Sequence, residues 1–437
     1  MNVTSTRGGV AELPLADALL GGTAPDGGLF VPASFPPAEA RSPKGGTLAS
    51  SALSVLAPFF AEDRLSGELP EMVAEAFTFS APLVPLRNRH DFVLELFHGP
   101  TAAFKDFGAR FLAACMRRLH PSGGGVRTVL VATSGDTGGA VAAAFHRMSG
   151  VRVVLLYPDG RVSPRQAHQL GAFPDNVTAL RVAGSFDDCQ AMVKAAFADP
   201  ELAPLRLTSA NSISLGRLLP QLAFHAHAAW SSGEPLLNLI VPTGNLGNAV
   251  AAVWARELGA PIGDIVLATN ANRTLAEFFE GGAYQGRPSV PTLANAMDVG
   301  DPSNFERLAW TYSDPALLRR RVRARSVTDE HISRTIQQGE RRHGQVFCPH
   351  TAAGVWVLEQ IRMAPAARVG TWAVVATAHP AKFESIVEPL VGHPVPVPPA
   401  MAELLTRPSR AEPLAADAGA LRRWLLDHAE CSEAREG

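Results

Sequence analysis

The chain has 437 residues, too many for one simple core, so two or three domains are expected. Hydrophobic residues make up 46% of it and the formal net charge is −2, which suits a large soluble enzyme and gives no electrostatic basis for binding nucleic acid or an anionic membrane. The scattered Cys115, Cys189, Cys348 and Cys431 form no CxxC pair and read as reduced thiols of a cytoplasmic protein; the opening MNVTSTRGGVAELPL lacks the apolar run of a secretory signal.

Residues 1–95 are rich in Pro and Gly, with helical patches at 48–62 and 66–77, and read as an N-terminal extension. The run FHGPTAAFKDFGARF (97–111) follows. Gly99-Pro100-Thr101 predicts a turn, Phe104 and Phe107 bracket Lys105 with apolar bulk, and Asp106 sits at a helix start. Only four lysines occur in the chain, Lys44, Lys105, Lys194 and Lys382, so one placed here stands out. Desolvation would favour its neutral amine, the form that attacks carbonyls; a helix-start lysine reaching to solvent fits the same stretch.

From here one pattern repeats: a short apolar strand, a turn of Gly, Ser, Asn or Thr, then an Ala-rich helix. Strands are predicted at 126–132, 151–157, 177–183, 236–241, 264–269 and 371–376. Ser163-Pro164 and Ser185 look like helix caps. This alternation predicts an α/β protein with two doubly wound, mostly parallel sheets around a cleft. A smaller domain is placed at 96–210, a larger one at 211–400, and a helical tail at 401–437, with VGHPVPVPPA (391–400) as linker. The charge-poor stretch 236–255 carries Asn, Gly and Pro at its centre and is a poor candidate for a membrane span.

In such sheets ligands sit beyond the carboxyl ends of the strands. The turn Thr243-Gly244-Asn245-Leu246-Gly247-Asn248 exposes successive backbone N–H groups at a helix start. It is neither GxGxxG nor a P-loop, so a monophosphate suits it better than a dinucleotide or ATP. Thr133-Ser134-Gly135-Asp136-Thr137-Gly138 is a hydroxyl-rich turn suited to a carboxylate. Asn211 and Ser212 precede Arg217 in an otherwise apolar region, and Thr377 ends a strand with a hydroxyl. Each of these has a plainer use as a tight connection, a cap or a structural pair. Together with Lys105 they supply what pyridoxal 5′-phosphate chemistry on an α-amino acid requires.

The motifs HGPTAAFKDFG, ATSGDTG, NSISLGR, PTGNLGN, AMDVGDPSNFER (296–307), CPHTAAGVWV (348–357) and TAHPAKF (377–383) occur in the order of the threonine synthase family, and the chain resembles its longer microbial form from about residue 5 to 390. STRG (5–8) and PDGGLFVP (25–32) are similar to that form's extension. The resemblance implies a fold of the tryptophan-synthase-β kind and the conversion of O-phospho-L-homoserine and water to L-threonine and phosphate. It makes Lys105 the Schiff-base lysine and main acid/base, gives the cofactor phosphate to Gly244, Asn245, Leu246, Gly247 and Asn248, and sets Thr377 at the pyridine nitrogen. Thr133, Ser134 and Thr137 would take the substrate carboxylate, and Asn211, Ser212 and Arg217 its phosphate. Asp136 would lie beside the cofactor 3′-oxygen, where two neighbouring anions require a shared proton or a shifted side chain. Arg273 is left outside the site. The resemblance equally covers a phospho-lyase releasing 2-oxobutanoate and, as a different class, a non-catalytic cofactor-binding paralogue. Monomer and homodimer both stay open, and no metal is expected.

Overall fold

The computed structural model describes residues 1–43, 46–88, 90–120, 125–364 and 370–429. Along the chain, β1 (Asn2–Ser5), β2 (Leu13–Pro14) and β3 (Phe30–Pro32) form a small antiparallel sheet of order β2-β1-β3. They are followed by β4 (Leu83–Pro85), β5 (Asp91–Glu95), β6 (Arg127–Ala132), β7 (Val151–Pro158) and β8 (Val177–Ala183). Then come β9 (Leu237–Pro242), β10 (Ile262–Thr269), β11 (Val322–Ser326), β12 (Thr371–Ala376) and β13 (Glu412–Ala415). The larger sheet has the order β11-β10-β9-β12-β5-β4, parallel except for β4. The smaller one, β13-β8-β7-β6, is wholly parallel.

The strands are unbroken apolar runs because helices cover both faces: every residue of β12, TWAVVA, is buried, as is nearly all of VRVVLLYP in β7. Ser163 and Ser185 each form a capping box, with Gln166 and with Asp188, which fixes where their helices begin. The segment 236–255 is split between β9 and the helix Gly247–Glu257, and no helix among the described residues is long and apolar enough to cross a membrane.

Two expected boundaries move. Residues 83–95, placed with the N-terminal extension, belong to the larger sheet, where Val93 lies opposite Val374 in the parallel pairing of β5 with β12. The tail, expected to be helical, also carries a strand. β13 continues the smaller sheet beside β8, and the helix Ala418–Asp427 buries Leu421 and Leu425 in one cluster with Cys189 and Met192. Cys431 lies outside the described residues.

The extension itself shares a core with the larger sheet. Phe59 of the helix Leu48–Phe60 stacks on Trp254 at 6.2 Å, and Phe35 meets the same indole edge-on at 5.7 Å. The carboxyl ends of β6, β9 and β12 carry the turns 133–138 and 243–248 and Thr377, so the chemistry-bearing turns meet in the cleft between the two main sheets.

Candidate active site

Lys105 opens the helix Lys105–Leu119, and the turn before it is tied down tightly. The Thr101 amide and hydroxyl both donate to the Asp106 carboxylate, at 2.9 and 2.6 Å. Ala102 takes a left-handed φ of 55°. The Phe104 amide donates to the Thr377 carbonyl at 2.8 Å and the His379 amide to the Ala102 carbonyl at 3.0 Å, lacing the turn to the end of β12. Of the two expected flanking rings, Phe104 lies beside the amine, its centroid 5.5 Å from Nζ. Phe107 points instead into the core, against Phe77, Phe79 and Phe224. Burial lowers the Lys105 pKa to about 8; Asp136 opposes this, and Arg217 and Lys382 add to it.

The turn after β6 is built on Thr133, whose hydroxyl oxygen accepts from the Gly135 and Gly138 amides at 3.0 and 2.8 Å. Gly135 has φ 120°, and a Cβ there would come within 2.7 Å of Gln166, so only glycine fits. Ser134 and Thr137 stay half-buried at the start of the helix Asp136–Phe145. Asp136 is buried, and its Oδ1 accepts from Gln166 Nε2 at 2.9 Å and faces Lys382 Nζ at 3.1 Å. Burial alone would raise its pKa, but Lys382, Lys105, His350 and the Gln166 bond together hold it well below the usual carboxylate range. Lys382 is the nearest counter-cation of Asp136.

The turn after β9 closes against the 294–299 segment. A Cβ on Gly244 would lie 2.7 Å from Met297 Cα, whereas one on Gly247 would meet nothing closer than Ser212 Cβ at 3.4 Å. Leu246 adopts φ 64° to start the helix Gly247–Glu257. Asn248 is held by His225 Nε2, 3.0 Å from its Oδ1, and its buried Nδ2 has no partner among the described residues. Asn245 donates to the Ser212 hydroxyl at 2.8 Å and accepts from the Ser303 amide at 2.7 Å. Asn211 donates to the Ala132 carbonyl at 2.7 Å, tying its loop to the end of β6. Arg217 is buried; its Nη1 donates to the Ala210 carbonyl and its Nε is unpartnered among the described residues. Burial lowers its pKa to about 10, which leaves it charged at neutral pH.

All fourteen expected residues (Lys105, Thr133, Ser134, Asp136, Thr137, Asn211, Ser212, Arg217, Gly244, Asn245, Leu246, Gly247, Asn248 and Thr377) line one cavity. Arg273 does not: it is half exposed and pairs with Glu277 and Glu280. Three participants carried no expected role. His350 lines the cavity, accepts from the Ala296 amide at 3.1 Å, and is kept neutral by burial, its pKa near 4. Gln166 and Lys382 hold Asp136 from behind. His350 and Lys382 lie within CPHTAAGVWV and TAHPAKF, but no spacing in the sequence assigns them work.

The cavity fits a phosphorylated pyridine aldehyde. It offers a lysine amine of lowered basicity, an amide-rich glycine turn, an orphaned Asn248 Nδ2 and a neutral Thr377 hydroxyl.

Comparison with known proteins agrees with this geometry. Residues 79–380 match the family described as pyridoxal-phosphate dependent enzyme, 2–77 the threonine synthase N terminus and 351–425 the threonine synthase C-terminal family. The threonine synthase of Serratia marcescens is 36% identical over 95% of this chain and 96% of its own length; that of Escherichia coli is 35% identical over 95% and 97%. The crystal structure of threonine synthase from Escherichia coli superposes with a TM-score of 0.88, covering 98% of this chain and all of the other. The pyridoxal-phosphate-bound threonine synthase from Brucella melitensis superposes with 0.87 at 35% identity, covering 98% and 99%. The chain belongs to the threonine synthase family of pyridoxal-phosphate-dependent enzymes.

Proposed function

We propose that this cavity converts O-phospho-L-homoserine and water to L-threonine and phosphate. The observation that carries the reading is the presence of two anion sites around one lysine: the amide cradle 244–248 and the buried, charged Arg217. A simple amino-acid dehydratase needs only the first; a phosphorylated substrate needs both.

Lys105 holds the cofactor, which when bound supplies the electron sink that makes protons at Cα and Cβ of the substrate acidic. Gly244, Asn245, Leu246, Gly247 and Asn248 grip its phosphate through backbone amides and the positive end of the following helix. Thr377 offers the ring nitrogen a hydroxyl, a neutral partner that leaves that nitrogen less protonated than a carboxylate would. Asp136, held by Lys382 and Gln166, would lie beside the cofactor 3′-oxygen. Ser134 and Thr137, with the turn that Thr133 braces, receive the substrate carboxylate. Arg217 with Asn211 and Ser212 takes the substrate phosphate; a guanidinium can bind two of its oxygens at once. Lys105 moves protons at Cα, Cβ and Cγ, phosphate leaves as the Cγ–O bond breaks, Cγ gains a proton, and water adds at Cβ. Ser212 also meets Asn245, so the two phosphate loops are mechanically joined. The buried Cys115, Cys189 and Cys348 are consistent with a cytoplasmic enzyme that keeps them as thiols.

The test is NMR of the purified yellow protein with O-phospho-L-homoserine, following phosphorus and carbon together. Threonine is expected to appear in step with phosphate. 2-Oxobutanoate in its place overturns the reading in favour of a phospho-lyase.

A further inference from the structure

Lys382 is fully buried, yet its ammonium group has a full set of partners. Its three N–H groups meet the Thr101 carbonyl at 2.6 Å, Gln169 Oε1 at 2.8 Å and Asp136 Oδ1 at 3.1 Å. These belong to three separate pieces of chain: the turn before Lys105, the helix Pro164–Gly171 and the helix Asp136–Phe145. Lys382 itself sits just past β12, six residues beyond its end, where Thr377 begins the same segment. Its own carbonyl accepts from Ser163 Oγ at 2.5 Å, and Arg165 donates to the Ala381 carbonyl at 2.7 Å, so the backbone is pinned as well as the side chain.

A buried ammonium is costly unless paired, and pairing it with Asp136, a carboxylate that lines the cofactor cavity, has a chemical consequence. Oδ1 of Asp136 is engaged by Lys382 and Gln166, and no bond among the described residues engages Oδ2. The groups that face Lys105 and Asp136 are Lys382, Arg217 from the helix Leu215–Leu218, and His350 from the helix Pro349–Met363, with Asp106 next to Lys105 on its own helix. Asp106 is committed to Thr101, and His350 is neutral. Among the described residues Asp136 is thus the carboxylate that acts on Lys105, and Lys382 is its closest counter-charge.

We propose that Lys382 is a positioning residue for this reaction: by pairing with Asp136 it balances the carboxylate at Lys105 and so sets the proton affinity of the nitrogen that Lys105 contributes to the cofactor. Without Lys382 the Asp136 charge acts unopposed and the nitrogen holds its proton to higher pH. Without Asp136 the ammonium of Lys382 acts unopposed and the proton is lost at lower pH. With both charges removed the two effects cancel.

The inference rests on Lys105 carrying the cofactor, and the test separates the two. The holoenzyme is titrated with pH while the absorbance of the bound cofactor is recorded, alongside its melting temperature. Lys382→Met is expected to move the spectral midpoint up by about one pH unit or more, the size of effect a nearby charge exerts. Asp136→Asn is expected to move it down, and the double variant to return towards the parent. Should Lys382→Met not fold, the downward shift of Asp136→Asn still has to appear. A merely structural lysine would lower the melting temperature or cofactor retention and leave the midpoint where it was, and that result overturns the inference. A parent protein with no cofactor absorbance would instead sink the assignment of Lys105 on which it rests.

Discussion

Arg217 shows how burial turns an ordinary residue into a specific one. Its guanidinium is held by one carbonyl, leaves Nε unpartnered among the described residues, and remains charged at neutral pH. A charge-assisted hydrogen bond contributes about 1.5–3 kcal/mol, so Arg217→Ala should raise KM for O-phospho-L-homoserine roughly 10- to 100-fold. The cofactor spectrum should stay intact; steady-state kinetics and an absorbance scan check both, and loss of cofactor would place Arg217 at the other phosphate. The residue is legible in the sequence because NSISLGR puts polar groups in an apolar stretch. Its neighbour's full role is not. Ser212 accepts from Asn245, a residue 33 positions away, and only folding brings them together. Lys382 is a stronger case, since its partners Thr101, Asp136 and Gln169 lie 281, 246 and 213 positions away.

At the scale of the element, the turn after β9 is decided by what lies across from it. Composition identifies PTGNLGN as a tight βα connection able to present amides. Which glycine is indispensable depends on distance. Gly244 has Met297 backbone within 2.7 Å of where a Cβ would stand, while a Cβ on Gly247 would make only ordinary contact, with Ser212 at 3.4 Å. Gly244→Ala must therefore displace either the turn or the 294–299 segment, at about 1–3 kcal/mol. Cofactor affinity is expected to fall about tenfold or more with circular dichroism unchanged, measured by equilibrium titration of the cofactor-free protein. Unchanged affinity would mean that the turn adapts and that the amides, not their exact placement, hold the phosphate. The helix caps at Ser163 and Ser185 were readable from local sequence alone, because the cap's partner sits three residues away. The edge strand β13 was not readable: its PLA core is short and Pro-containing, and it is a strand because β8 offers an open edge.

At the scale of the whole molecule, one buried arginine joins the N-terminal extension to the catalytic body. Arg307 donates to the Phe30 carbonyl at 2.9 and 3.1 Å, to the Ile213 carbonyl at 2.7 Å and to Asn304 Oδ1 at 2.7 Å. Ile213 directly follows the Asn211-Ser212 pair, so the extension also braces the loop proposed to take the substrate phosphate. Arg307→Met leaves these acceptors buried and unpaired at about 1–3 kcal/mol each. The melting temperature should drop by several degrees and limited proteolysis should cut first within the opening 80 residues. An unchanged digestion pattern would mean that the aromatic contacts around Trp254 hold the extension unaided. The sequence by itself determined the α/β class, the strand–turn–helix order and the turns that line the cavity, though not His350, because hydrophobic periodicity, caps and glycine turns are properties of neighbouring residues. Tertiary structure alone decided that residues 83–95 join the larger sheet, that the tail completes the smaller one, and that Lys382 neutralises Asp136. Those outcomes depend on which strand edge is open and which charge lies within about 3 Å across the cleft, and neither is encoded in any local stretch of chain.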